Sequence, residues 1–322
     1  MVHAPTVLVV TSLEDVTADL VITALNERGA EVARVDPADI GPALHFDAAI
    51  GTGAQWAGRL RTTTRKVELA AVAAVYHRRP SPWRFDHLDQ QARDFAVAEA
   101  RHGLGGILAN LPDARYVNHP AAVTRADFKP AQLQTAARFG LTIPATLITN
   151  DARQVHEFAI AHGPVVYKTF RGVPASADGY AGAIWAQRID PALLDESVAV
   201  TAHLFQAEVP KVADARVTAV GHRIFAHSIT TPDGVLDWRS DDWDALTYTP
   251  IRVPDRIAAA LHAYLDAFGL VFGCFDFALA SEHDVPDGWT FIECNPNGQW
   301  GFLPDAEAIA DAFAETLQKG RT

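Results

Sequence analysis

Apolar and polar positions along this chain follow two rhythms, one for strands and one for helices. Residues 6–11 (TVLVVT) are a continuous apolar run, the pattern of a strand buried on both faces. Asp15 or Thr17 can cap a helix running to Arg28, where Gly29 closes it. Residues 31–36, 46–51 and 71–76 read as further short strands. An Ala-rich helix is expected over 90–108, with Gly103, Gly105 and Gly106 fraying or breaking its end. Together these elements predict an open α/β layer over residues 1–115.

A second set starts at Tyr116-Val117-Asn118-His119-Pro120. Asp127 is placed to cap a helix to Phe139, with Pro130 in its first turn and Gly140 at its end. Lys129 falls in that turn, where a cation opposes the helix dipole at a cost of ~0.3–1 kcal/mol. The penalty hints at a task for Lys129, such as holding an anion. Residues 164–170 (PVVYKTF) form an apolar strand carrying Lys168, which either snorkels at an edge or binds a phosphate. Arg171-Gly172 and Gly179-Tyr180-Ala181-Gly182 bracket a loop of small residues able to fold over phosphates, ahead of a strand at 183–188. Strands follow at 204–209, 215–220 and 223–229, the last two joined by Gly221-His222 as a two-residue hairpin turn. Arg216 lies inside this hairpin, and a guanidinium in a central strand requires an anionic partner. Residues 231–250 read as a long polar loop, 254–268 as an amphipathic helix closed by Gly269, and 305–318 as a final helix.

Between those two helices, residues 271–301 (VFGCFDFALASEHDVPDGWTFIECNPNGQWG) are two apolar runs joined by a polar turn. Strand side chains alternate faces, so Phe291, Glu293 and Asn295 share one face, with Ile292 and Cys294 on the other. If the runs pair as a hairpin across 281–288, Asp276 lies beside Glu293. Asp276, Glu293 and Asn295 then present hard oxygen atoms to one point. Such a set suits Mg²⁺, which takes a few carboxylates from the protein and the rest from phosphate and water. The bland alternative is a hairpin with solvated acids, but an acid flanked by Phe on both sides is costly to leave without a partner. Cys274 falls on the face of Asp276 and Cys294 on the face opposite Glu293, so the two should not bridge.

Composition then excludes classes. The chain has 322 residues, enough for two or three lobes, and its 27 basic and 39 acidic residues leave a net charge of −12. Without a Lys/Arg cluster there is no basic field for nucleic acid, so any anionic ligand is held by a few placed cations. The 13 histidines are scattered, with no HExxH or paired Cys/His spacing for zinc. No apolar run is long enough for a transmembrane helix, so no membrane partner is expected. The opening MVHAPTVLVVTS lacks a basic segment before its apolar run, so no signal peptide is expected and the compartment reads as cytoplasmic. The β-α-β start places Asp36 where a ribose acid would sit, but the turn Thr-Ser-Leu-Glu-Asp has no G-x-G-x-x-G, which excludes a dinucleotide site. His77-Arg78-Arg79-Pro80, at a strand end, can receive an anion or an acidic side chain, or tie one lobe to another.

Taken in order, Lys129 before a helix, Lys168 in a VVYK strand, the small-residue loop, QAEV at 206–209, D-x-R at 214–216, FDF at 275–277 and ECNPNGQWG at 293–301 resemble the ATP-grasp fold over about 116–320. Residues 1–115 are then its usual preceding lobe. The start VLVVTSLEDVTADLV, the HRRP at 77–80, KPAQLQTAARFGLTIPATLIT at 129–149 and the ending ECNPNGQWGF resemble more closely the graspetide (microviridin-type) synthetases. The resemblance implies an α/β class with α+β lobes: a pre-ATP-grasp lobe at 1–115, a central lobe with a phosphate flap at 116–205, and a C-terminal lobe with a metal site at 206–322. It implies ATP between the last two lobes, Lys129 and Lys168 on its phosphates, and Gln206, Ala207 and Val209 along adenine. The acidic hinge residues of many ATP-grasp enzymes are here Gln206 and Ala207, which leaves Lys211 or Asp214 for ribose. Arg216, with Lys168, would be catalytic on the transferred phosphoryl group, and Asp276, Glu293 and Asn295 would hold Mg²⁺. The implied partner is a ribosomal precursor peptide with a leader and an acidic, hydroxyl-rich core, and a homodimer is the implied assembly. The alternatives are a ligase adding amino acids to a peptide or protein C-terminus and a non-catalytic peptide-binding protein.

Overall fold

The computed structural model describes residues 5–53, 55–171, 184–231, 235–240, 242, 245–280 and 288–319. Gly172, the Gly179-Tyr180-Ala181-Gly182 stretch and the 281–287 turn of the expected hairpin lie outside the described residues.

β1 (Thr6–Val10), α1 (Val16–Glu27) and β2 (Glu31–Val35) open the chain. The hairpin strands β3 (His45–Ile50), β4 (Trp56–Arg61) and β5 (Lys66–Glu68) follow, then β6 (Val72–His77), α2 (Gln90–His102), α3 (Leu104–Leu108) and β7 (Arg115–Val117). The first sheet is parallel, in the order β2-β1-β6-β7, and β3-β4-β5 form a small sheet of their own. Leu8, Val10, Ala33 and Val75 pack on that small sheet and α3, while Val7, Val9, Ala74 and Tyr76 face the other way, toward α1. Burial on both faces explains the unbroken apolar run of β1. Asp15 caps α1 by accepting from the Ala18 N–H. Asp36 accepts from the N–H groups of Ala38 and Ser81, a structural use for an acid at that strand end.

The middle of the chain holds α4 (Pro120–Ala126), α5 (Lys129–Arg138), β8 (Thr146–Thr149), α6 (Ala152–His162), β9 (Val165–Lys168), β10 (Gln187–Ile189) and β11 (His203–Ala207). Its antiparallel sheet runs β10-β9-β11-β8 and is backed by α6 through Val155, Val165 and Phe205. The expected single helix capped by Asp127 is two helices. Pro120 at the first position and the His119 ring, accepting from the Ala121 N–H, start α4 earlier, so Asp127 ends α4 and α5 begins without a side-chain cap. Both helices pack against the last sheet rather than the central one, through Val123, Ala126, Leu133 and Ala136. The expected lobe limits also cut strands: β7 completes the first sheet beyond 115, and β11 carries the central sheet to Ala207. Backbone pairing and burial set these limits.

The last part comprises β12 (Ala213–Val220), β13 (Arg223–Thr230), β14 (Thr247–Pro250), α7 (Asp255–Phe268), β15 (Phe272–Leu279), β16 (Trp289–Asn295) and α8 (Ala306–Gln318). Its sheet is antiparallel, in the order β14-β13-β12-β15-β16, so the expected 231–250 loop contains a strand. Gly221 turns β12 into β13 at φ 57°, and a Cβ there would stand 2.9 Å from Thr316 Oγ1. Ala215, Val217, Phe275 and Phe277 bury one face against α7. On the other face, Val220, Phe272 and Cys274 join α8 and the first sheet in a single core. Phe313 of α8 lies 5.0 Å from Tyr76 and stacks on Trp300 at 5.2 Å between ring centroids. The two ends of the chain therefore share one interior.

Candidate functional site

The face of the last sheet that is apolar at Val220 and Phe272 becomes charged four residues on. Arg216 and Asp276 are cross-strand partners on β12 and β15. Arg216 Nη1 donates to both carboxylate oxygens of Asp276 at 2.8 and 2.9 Å, and Nη2 donates to the Gln299 carbonyl at 2.8 Å. Both side chains are buried. Burial alone would lower the Arg216 pKa, but Asp276 more than reverses this and holds the guanidinium charged.

Glu293 stands directly across from Asp276, as the paired runs predict. The alternation around it does not hold. Asp276 pairs with Glu293 and Phe277 with Phe291, so Ile292 is an unopposed residue, a β-bulge. Phe291 and Cys294 both enter the core, while Ile292 and Glu293 both line the pocket. Beyond the bulge, Asn295 pairs with Cys274, two positions from Asp276 along the ladder and ~7 Å by strand rise. Its side chain accepts from the Asn297 N–H and lines a neighbouring cavity with Lys129, Arg171 and Glu293. Asp276 and Glu293 thus share one pocket, and Asn295 is reached only across Glu293. Cys274 and Cys294 are both free and buried.

Three cations converge on Glu293. Lys129, the first residue of α5, reaches Glu293 Oε2, and Arg239 Nη1 donates to Glu293 Oε1 at 2.9 Å. Gln132, one turn into α5, binds both the N–H and the carbonyl of Cys294 and so ties the helix to β16. Lys168 on β9 completes the set. Burial raises the Glu293 pKa, but Lys129, then Arg239 and Lys168, overcome it and hold the carboxyl well below its usual range. Burial pulls the Lys168 amine down to about 8; Glu293 opposes this, while Lys129 and Arg239 add to it.

Behind these charges opens a pocket lined by both the central and the last sheet. Its walls are Val166, Gln206, Ala207, Val209, Trp238, Ala278 and Ile292, an apolar slot whose floor carries Lys168, Asp276 and Glu293. Gln206 is held by Thr146 Oγ1 at 3.0 Å, and the Glu208 carboxylate pairs with Arg188 at 2.7 Å. Lys211 and Asp214 bind each other at 2.6 Å, and Lys211 also holds the Leu236 carbonyl. Burial pushes Asp214 up to about 6 against the pull of Lys211.

Comparison with known proteins follows this geometry. Residues 6–124 match the family model of the MvdD pre-ATP grasp domain. A Chryseobacterium gregarium RiPP-associated ATP-grasp ligase, solved with ADP and a leader and core peptide, superposes with a TM-score of 0.89 at 25% identity, over 98% of this chain and 97% of its own. Macrocyclase MdnC of Microcystis aeruginosa MRC, bound with precursor peptide MdnA, gives 0.83 at 27% identity over 98% and 99%. Macrocyclase MdnB of the same organism gives 0.77 at 27% over 97% and 99%. The chain is an ATP-grasp ligase. No curated protein matches it by sequence.

In this ligase the donor set fits Mg²⁺. Among the described residues no three His, Cys, Asp or Glu side chains converge as a closed metal cage. Two facing carboxylates are what Mg²⁺ takes from a protein when phosphate and water complete its shell. Four cations (Lys129, Lys168, Arg216, Arg239) face three carboxylates (Asp237, Asp276, Glu293), a balance suited to a polyphosphate. Arg239 and its partner Asp237 are the residues that sequence reading missed. They sit in the 231–250 segment around Trp238, whose buried ring packs with Ile229 and Leu246 and anchors the pair. A tryptophan between opposite charges in a polar stretch was the available signal. Arg78 and Arg79 prove to make an inter-lobe contact, Arg78 with Gly298 and Gln299 and Arg79 with Asn297. No helix among the described residues is long and apolar enough to cross a membrane.

Proposed function

We propose that this ligase closes side-chain rings in a ribosomal precursor peptide. The observation that carries the reading is the facing pair Asp276 and Glu293, ringed by Lys129, Lys168, Arg216 and Arg239 at the floor of an apolar slot. ATP as substrate places adenine along Gln206, Ala207 and Val209, with Lys211 or Asp214 toward ribose and its phosphates on Lys129 and Lys168. Mg²⁺, held by Asp276 and Glu293 with Asn295 on the far side of Glu293, would neutralise phosphate charge and orient the chain of phosphates. An Asp or Glu side chain of the peptide attacks the γ-phosphorus, ADP leaves, and Arg216 steadies the charge on the transferred group. A Thr or Ser hydroxyl, or a Lys amine, then attacks the acyl carbon. Phosphate leaves and an ester or amide closes the ring. No nucleophilic side chain of the enzyme is required.

The site supports this chemistry, and the similarity over nearly the whole chain to MdnC and to the Chryseobacterium gregarium ligase, both solved with peptide, supports the peptide as substrate. Homodimer assembly belongs to the same reading and rests on the resemblance alone, while a cytoplasmic location is carried over as an expectation from the sequence. Incubation with ATP, Mg²⁺ and the precursor encoded beside the gene, read by mass spectrometry, is expected to show loss of one water per link. A gain of amino-acid mass instead would favour C-terminal ligation, and ATP-independent binding without any mass change would favour a binding protein.

Lys168 makes a second expectation measurable. Its amine titrates at about 8, so its neutral form grows as pH rises through that value. A phosphate beside it favours the charged form and returns the proton. Nucleotide binding at pH 8.5 is therefore expected to take up protons, seen as a dependence of calorimetric heat on buffer ionisation enthalpy. Lys168→Arg should abolish the uptake. Equal uptake in that variant would remove Lys168 from the phosphate site.

A further inference from the structure

We infer that Arg78 and Arg79 are positioning residues through which the first lobe sets the Arg216–Asp276 pair. Both belong to the HRRP sequence at the carboxyl end of β6, which the proposed chemistry leaves without a role. Arg78 is 2% exposed. Its Nε binds Asp15 Oδ2 at 2.8 Å, its Nη1 donates to the Gly298 carbonyl at 3.2 Å, and its Nη2 donates to Gln299 Oε1. Thr17 Oγ1 donates to the same Gln299 oxygen at 2.9 Å. Arg79 donates through Nε and Nη2 to the Asn297 carbonyl at 3.2 and 2.9 Å. Three consecutive residues after β16 are thus each gripped by the first lobe.

The grip reaches the charged floor in one step. The Gln299 carbonyl is the acceptor for Arg216 Nη2, and Arg216 Nε has no partner among the described residues. The Arg216 side chain therefore rests on Asp276 and on this turn. Gly298 leaves the turn no room to slide: a Cβ there would stand 2.4 Å from Cys274 Cβ and 3.3 Å from Arg216 Nη2. A turn fixed from outside the sheet keeps Arg216 on one side of Asp276, so the opposite side of the carboxylate stays presented to the pocket. Charge-assisted hydrogen bonds of this kind supply direction as well as attraction.

A purely cohesive role predicts something different, because any contact between the lobes would then serve. Arg28–Asp311 provides the control: it joins α1 to α8 at 2.5 Å on the surface and touches neither the turn nor the pocket.

The inference rests on the metal reading above, and its test needs no peptide. ADP affinity is measured by calorimetry with and without Mg²⁺ in the wild type, Arg78→Ala, Arg79→Ala and Arg28→Ala. In Arg78→Ala the tightening by Mg²⁺ is expected to fall roughly tenfold, as for loss of a charge-assisted hydrogen bond, while metal-free affinity stays put. Arg79 is exposed, so Arg79→Ala folds and should lose a smaller part of the same tightening. Arg28→Ala should match the wild type. A full Mg²⁺ effect surviving in both Arg78→Ala and Arg79→Ala, or an equal loss in Arg28→Ala, overturns the proposal alone. No Mg²⁺ effect in the wild type overturns the metal reading and the proposal with it.

Discussion

Glu293→Gln is expected to abolish ATP-dependent product while the chain still folds. Glutamine keeps the length and shape of the side chain, so local packing survives, although its single oxygen can accept from only one of Lys129 and Arg239. What disappears is the one charge on which three cations converge. A neutral amide is a poor Mg²⁺ donor beside phosphate. The loss also acts through Lys168, whose pKa of about 8 already lies well below that of a free amine. Glu293 is the main group holding that value up, so its removal drives more Lys168 into the neutral form and weakens the phosphate contact as well. Two functions therefore fail together, and a fall of about 10²–10³-fold or more in single-turnover rate is expected. A rate near the wild type in a folded Glu293→Gln protein would dismiss this carboxylate from the mechanism.

Asp276→Asn should differ in kind. Arg216 is buried, and a guanidinium is effectively always protonated, so a charge is left stranded when Asp276 is replaced. Removing the counter-charge of a buried pair costs roughly 3–5 kcal/mol, a drop in Tm of roughly 4–7 °C for a chain of this size. Product formation is lost with it. Replacing both members, Arg216→Met with Asp276→Leu, removes the stranded charge and should return most of the stability with none of the activity. Melting curves for the single and double variants separate the two contributions. A single variant as stable as the wild type would show that the pair is not held as the structure places it.

The contrast between these two acids was not visible in the pattern of residues. Asp276 and Glu293 were both legible as site candidates, because each interrupts an apolar strand and simple pairing of the two runs sets them side by side. Lys129 was legible through its cost at a helix start, and Arg216 through its place in a central strand. Arg239 was not, because its meaning lies in Glu293, 54 residues away, and Trp238 beside it marks an anchored segment without naming that partner. Asp127 misled, since a good capping residue also ends the helix before it.

By itself the sequence determined the local elements and the chemistry of the site. The apolar run of β1, the cap of α1, the Gly-closed α7 and the two acid-bearing strands all follow from near-neighbour periodicity, which short-range sterics and burial enforce. Tertiary structure alone decided the bulge at Ile292, which turns Glu293 into the pocket and Phe291 into the core without altering a single apolar position. It also decided that α4 and α5 pack on the last sheet, that α8 returns to the first, and that HRRP grips the turn at 297–299. These are contacts between residues far apart in the chain. The free energy that selects them depends on shapes and charges meeting in space, which periodicity along one segment does not encode.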